Sequence, residues 1–146
     1  MEKLLSVIAT LFVVGVPLNF LWEVAQMPLY VEGGKLLEFA VHCILPSLGD
    51  GVIVLLIFTV GWVVLRRSDW FNRPGISGYA LMLFTGLVIA VVVEWVAVYF
   101  VDRWSYTASM PQLPGLGVGL SPVLQMLVLP PIIFKATAWW LGQRQS

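Results

Sequence analysis

LLSVIATLFVVGVPLNFLWEVAQ, residues 4–26, is the stretch whose reading decides the fold. It is apolar for longer than the roughly 20 residues a helix needs to cross the hydrocarbon core of a bilayer. Yet it carries Asn19, Glu23 and Gln26 toward one end. Their i, i+4, i+7 spacing places all three on one helix face. An ionised side chain at the centre of a membrane helix costs about 3 kcal/mol on insertion scales, so such a residue is paired, set in a cavity, or used.

Three further spans read the same way: 49–65, 76–101 and 119–141. Pro130-Pro131 is expected to kink or break the last of them. Between the first two spans, residues 35–47 carry Leu36, Leu37, Ala40, Val41 and Ile44 at helical spacing. That segment is too short to cross a membrane alone. It is expected either to form a short interfacial or re-entrant helix, or to extend the second span as one long helix broken near Pro46.

The whole composition agrees with this reading. The chain is 60% hydrophobic and 11% charged, against roughly 25% charged in soluble domains. Its mean hydropathy is +0.93. The expected fold class is all-α and polytopic: four transmembrane helices plus the short helix, forming one helical bundle over residues 1–146. Net charge is zero, and no basic stripe appears, so a nucleic-acid partner is not expected. One cysteine, Cys43, forms no internal disulfide. The apolar start lacks a small-residue cleavage site and reads as a retained first helix.

Basic residues set the orientation. Lys3, Arg66, Arg67, Arg73 and Arg144 fall on one side of the four spans, Lys35 and Arg103 on the other. Both termini are therefore expected in the cytoplasm of a multi-pass protein, with a bacterial inner membrane as the setting. The segments 27–48 and 102–118 then face outward.

With that topology the polar residues gather at one depth. Glu94 lies seven residues before the outer end of the third span, about 10 Å deep at 1.5 Å per residue. Gln125 enters at a similar depth on the fourth. Asp50 opens the second span, where it either caps the helix N-terminus or joins the others. Outer segments add His42, Arg103 and Tyr106. Arg103 reads as an interfacial anchor or as a partner for Asp102 or Glu94. Trp70, Trp104, Trp139 and Trp140 fall where an aromatic belt is expected. Trp22 and Trp95 each adjoin a buried acid, and Tyr99 is one turn beyond Trp95. Gly86 and Ala90 share a face with Glu94 and permit close helix approach.

Burial disfavours a carboxylate's charge, so a carboxyl group in an apolar pocket can keep its proton and serve as a general acid. Aromatic faces stabilise cations. Buried acids among aromatic rings therefore suit protonation of an olefin or epoxide in a membrane-dissolved lipid. The same parts suit binding of a quinone or other lipid.

Asn19-Phe20-Leu21-Trp22-Glu23 resembles the Asn-x-x-Trp-Glu stretch of integral membrane terpene cyclases, in which the Glu is the catalytic acid. Leu48-Gly49-Asp50 resembles the Asp that begins a later helix there. Trp104-Ser105-Tyr106, followed by Gly119 and Pro122, resembles the Trp-x-Tyr…Gly…Pro layout of small membrane carotenoid (lycopene) cyclases. That family carries acids just after its proline, where this chain has Gln125. The terpene cyclases have about seven helices, so four imply completion by a homo-oligomer or a second membrane subunit.

The resulting expectation is a membrane enzyme acting on an isoprenoid-like lipid by acid-initiated cyclisation or isomerisation. Glu23 and Glu94 would be acid and base in unassigned order. Asp50 and Asn19 would orient them, and Trp22, Trp95 and Tyr99 would line the pocket. Gln26, His42, Arg103, Tyr106 and Gln125 complete the binding set. The alternative is a non-catalytic subunit that holds a lipid, quinone or pigment, or packs against a larger membrane complex. Glu23, His42, Asp50 and Glu94 lack the compact spacing of a metal site, such as His-x-x-x-His. No metal or cofactor is expected.

Overall fold

The computed structural model describes residues 2–31 and 36–143, with backbone alone at 2 and 36–42. Among the described residues there are four α-helices: α1 (Glu2–Gln26), α2 (Leu36–Leu65), α3 (Gly75–Tyr99) and α4 (Leu120–Gln143). Short 3-10 turns at Met27–Leu29 and Trp70–Asn72 interrupt the connections. All four helices are long and apolar enough to cross a membrane. Isolated bridges are the one extended pairing among the described residues. The fold is all-α and polytopic.

Contacts run in a ring. α1 packs on α2 and α4, and α3 packs on α4 and α2. Ser6, Ala9 and Thr10 near the start of α1 face Trp140 near the end of α4, so the start of α1 and the end of α4 lie at one end of the bundle. That end, with the α2–α3 connection, holds the larger apolar core: Leu11, Val54, Ile57, Phe58, Trp70, Phe71, Met82, Leu129, Ile133 and Phe134. The opposite end holds nearly all of the buried polar side chains: Asn19, Gln26, Ser47, Glu94 and Gln125, with Thr137 the exception.

Three details differ from the reading of the sequence. First, residues from Leu36 onward extend the second span, as one of the two readings had it, but α2 passes through Pro46 without the break expected there. Asp50 accordingly lies well inside a helix and caps nothing. Second, α4 runs unbroken through Pro130-Pro131. Pro130 cannot donate to the carbonyl of Met126, four residues back. That carbonyl instead lies against Gly86 of α3, so closely that a Cβ at 86 would collide with it. A small residue on one helix thus meets the carbonyl that proline exposed on the other, the close approach on which membrane helix packing depends. Third, Trp70 is no belt residue. It is fully buried and seated over Gly61, where any side chain would clash with its ring. Its indole Nε1–H donates to the carbonyl of Phe58 at 3.1 Å.

At the polar end two segments zip together. The Val31 amide donates to Ser105 O at 3.0 Å, and the Thr107 amide to Leu29 O at 2.9 Å. The chain leaves α3 through Asp102, which adopts a left-handed φ of 49°. This reversal is tied down by the Arg103 amide donating to Ala97 O at 2.8 Å. The connection from α1 and the one before α4 together roof the polar layer.

Candidate functional site

Under this roof is a cavity of about 670 Å³. Glu23 of α1, Asp50 of α2 and Glu94 of α3 all line it, and Gln125 of α4 completes the ring. Every helix therefore contributes at least one polar side chain to the same chamber, and α1 adds Gln26 beside Glu23. The walls between them are apolar, with Ile53, Ala90 and Met126 on the side toward the bundle centre.

Two hydrogen-bond systems hold the carboxyl groups. The first is a chain of amides whose direction follows from one backbone anchor. Asn19 Nδ2 donates to Gly15 O at 2.9 Å, and a carbonyl can only accept. Asn19 Oδ1 is therefore an acceptor, and Gln125 Nε2 donates to it at 2.9 Å. The same Nε2 donates to Asp50 Oδ2 at 2.7 Å. Gln125 Oε1 accepts from Gln26 Nε2 at 3.4 Å, while Gln26 Nε2 also reaches Glu23 Oε1 at 2.9 Å. Ser121 Oγ closes the series on Gln26 Oε1 at 2.8 Å. Each amide's orientation is forced by its neighbour. The carboxyl groups of Glu23 and Asp50, each holding one amide N–H, lie within hydrogen-bonding reach of each other.

The second system surrounds Glu94, which is 5% exposed. Its Oε1 accepts from the Tyr30 hydroxyl at 3.3 Å, and its Oε2 from Trp104 Nε1–H at 3.3 Å. The Tyr106 hydroxyl donates to Oε2 as well. Gly119 N–H donates to that hydroxyl at 2.9 Å, which orients the phenol's own proton toward Glu94. Three donors from the roof thus converge on one acid. Burial, then the nearby Glu94 charge, pushes the Tyr30 hydroxyl far above its ordinary value. Burial, followed by the hydrogen bond to Glu94, does the same for Tyr106. Both phenols remain protonated donors at neutral pH.

The residues singled out in the sequence divide into groups. Glu23, Asp50, Glu94, Gln26, Arg103 and Gln125 line the cavity. Asn19 and Tyr106 stand directly behind it, bonded to Gln125 and Glu94. Trp22 does not reach it. It packs on the apolar core, with its indole N–H buried and without a partner among the described residues. Trp95 and Tyr99 are about half exposed on the outer face of α3, where Trp95 packs on Tyr99 and Phe100. The Tyr99 hydroxyl ties the following loop by donating to Gly117 O at 2.9 Å. The side chain of His42 lies outside the described residues. Arg103 pairs with neither Asp102 nor Glu94.

Tyr30 and Ser121 were not legible as site residues. Tyr30 follows Met27-Pro28-Leu29 in a connection with no periodicity, and it reaches Glu94 because the two roof segments pair at Tyr30 and Tyr106. Trp104 reads by position as one more interfacial tryptophan, and the Trp-x-Tyr resemblance alone singles it out. Among the described residues, no group of three or more His, Cys, Asp or Glu is arranged to hold a metal ion. No family model, curated protein or solved structure matches this chain.

Proposed function

We propose that this chain is an integral membrane enzyme that isomerises or cyclises an isoprenoid-like lipid by acid catalysis. The observation that carries this reading is the meeting of three carboxyl groups from three helices on one apolar-walled cavity of about 670 Å³. Pockets of roughly 300–1,000 Å³ hold a small ligand. Most residues of the terpene- and carotenoid-cyclase resemblance also converge here, Trp22 excepted. Glu23, Asp50, Trp104 and Pro122 line the cavity, and Tyr106 and Gly119 form the relay behind Glu94.

The geometry supports a division of labour. A hydrogen bond between two carboxyl groups requires a proton on one of them, so the Glu23–Asp50 pair is the acid. Glu94 receives three donors and is the base. The pair's proton adds to one carbon of a double bond. The π electron pair becomes the new C–H bond and leaves a carbocation at the other carbon. Tyr30 and Trp104 line the same chamber, and their ring faces stabilise that cation. In a cyclisation, a second double bond of the chain attacks it. Glu94 then takes a proton from the carbon beside the cation, and the released electron pair forms the new double bond. The product is an isomer of the substrate, and no oxidant or reductant enters. Solvent at the mouth returns the proton from Glu94 to the pair.

Positioned general acids and bases contribute about 10²–10⁴-fold. Replacing Glu23→Gln or Glu94→Gln should lower turnover by that order, read as isoprenoid profiles of membranes expressing each variant. An unchanged profile, with the variant present in the membrane, ends this reading. The same proposal puts the protein in a bacterial inner membrane with both termini cytoplasmic. It acts alone, as a homo-oligomer, or beside a second membrane subunit.

One observation favours a second, non-catalytic reading. Both oxygens of Glu94 are occupied by roof donors, as they would be in a subunit that uses its acids to hold helices around a bound lipid, quinone or pigment. In that case Glu94→Gln lowers stability and ligand retention together, and lipid composition does not change.

A further inference from the structure

The chemistry of the cavity is graded with depth. Its waist is the ring of Glu23, Asp50, Glu94 and Gln125, and its floor, toward the bundle centre, is Ile53, Ala90 and Met126. The rim belongs to the roof and holds Arg103. This residue lies beyond the end of α3, where the left-handed turn at Asp102 reverses the chain and the Ala97 carbonyl fixes the Arg103 amide. Its side chain is exposed. Three carboxyl groups line the same cavity, yet the guanidinium forms no hydrogen bond or ion pair among the described residues. The carboxyl groups are engaged instead by Gln26, Gln125 and the roof donors. The cation is exposed and on the lining of an otherwise acidic and apolar chamber, with its fork of donors unused.

We infer that the ligand is a single-chain amphiphile with an oxyanion head, phosphate or carboxylate, which Arg103 receives at the rim while the chain descends past the carboxyl ring to the apolar floor. A guanidinium suits this task because its planar fork matches the paired oxygens of phosphate and carboxylate. The polarity also matches a membrane: the head stays at the interface and the chain points toward the bilayer centre. A two-tailed phospholipid does not fit whole into a chamber of about 670 Å³. The head serves as an anchor and leaves the bond at the waist to the acids. This inference rests on the cavity being the substrate site and adds the substrate's polar class.

The test is binding to the purified full chain in detergent or nanodiscs, with farnesyl phosphate, farnesoic acid and farnesol as probes. These share one chain and differ in the head. At least one charged probe should bind ten-fold or more tightly than farnesol, with the advantage shrinking as salt is raised. Arg103→Gln should reduce that advantage to near unity and leave farnesol affinity unchanged, while Arg103→Lys retains part of it. Phosphate and carboxylate heads are told apart by which charged probe shows the advantage. Equal affinity for all three probes overturns the headgroup assignment alone, as does an advantage that survives Arg103→Gln. Absence of binding by every probe overturns the cavity as a lipid site as well. Because the probe comparison is made on the unaltered protein, it does not depend on the variants folding.

Discussion

The Tyr106 hydroxyl accepts the Gly119 amide and gives its proton to Glu94. Removing that oxygen strands a backbone N–H and deprives Glu94 of one of three donors. Buried hydrogen bonds to charged groups contribute about 1.5–3 kcal/mol, and polar contacts between membrane helices somewhat less, about 0.6–2 kcal/mol. Tyr106→Phe should therefore destabilise the protein by about 1–3 kcal/mol in reversible detergent unfolding, and Tyr30→Phe by less. A variant as stable as the parent would mean that the relay carries no weight. The two phenols also set a pH dependence. Both titrate higher in the folded protein than in the unfolded chain, where tyrosine titrates near 10. Above that value the unfolded chain releases protons that the folded one keeps, so the unfolded state gains. The contribution of Tyr30 and Tyr106 is complete below about pH 10 and declines above it. Unfolding measured from pH 8 to 11 should show that decline in the parent and a smaller one in Tyr106→Phe.

Between elements, α3 and α4 approach closely where Gly86 meets the carbonyl of Met126. That carbonyl is available because Pro130, four residues on, has no N–H to offer it. A methyl group at 86 would press on backbone, which cannot rotate aside. Overpacking of this kind costs about 1–3 kcal/mol. Gly86→Ala should lower stability by that amount. It should also weaken lipid binding, because Ala90 and Glu94 follow on the same face of α3. Gly142→Ala is the control, since a Cβ there meets nothing within 4 Å and the residue lies away from the cavity. Similar losses for both would show that the α3–α4 contact is not special. The same element logic explains Trp70. Gly61 opens a slot in α2, and the indole fills it where an interfacial belt was expected.

At the scale of the molecule, the bundle is polarised. One end is an apolar core roofed by Trp70 and Phe71, and the other is a chamber ringed by polar side chains and roofed by the paired segments around Tyr30 and Tyr106. Alternating helices put Ser68 and Ser109 at opposite ends, both exposed. Cysteines at these two positions should react with a membrane-impermeant maleimide from opposite faces of sealed vesicles. Cys43 is 1% exposed and contributes little background. Labelling of Ser109→Cys from the exterior of intact cells, with Ser68→Cys protected, is the outcome expected for cytoplasmic termini. Labelling of both from one face would overturn the four-span topology.

Composition and run length were enough for the four apolar helices, because a bilayer leaves a chain this hydrophobic few ways to satisfy its backbone. Spacing was enough to place Asn19, Glu23 and Gln26 on one face, and Glu94 and Gln125 at a shared depth. That the segment before the second span extends it was one of two readings the sequence left open; the helix runs on through Pro46, where a break was expected, and this removed Asp50 from a helix end to the middle of one. Rotation about each helix axis was not legible, since α3 is apolar almost all round. It turned Glu94 into the chamber and left Trp95 and Tyr99 on the outer face. Nor did the pattern of residues announce the roof. Tyr30, Trp104 and Tyr106 reach Glu94 because two aperiodic segments, far apart in the chain, pair through their backbones. Periodic, local patterns encode helices and depth; which faces meet depends on contacts between residues distant in sequence, and tertiary packing alone decides those.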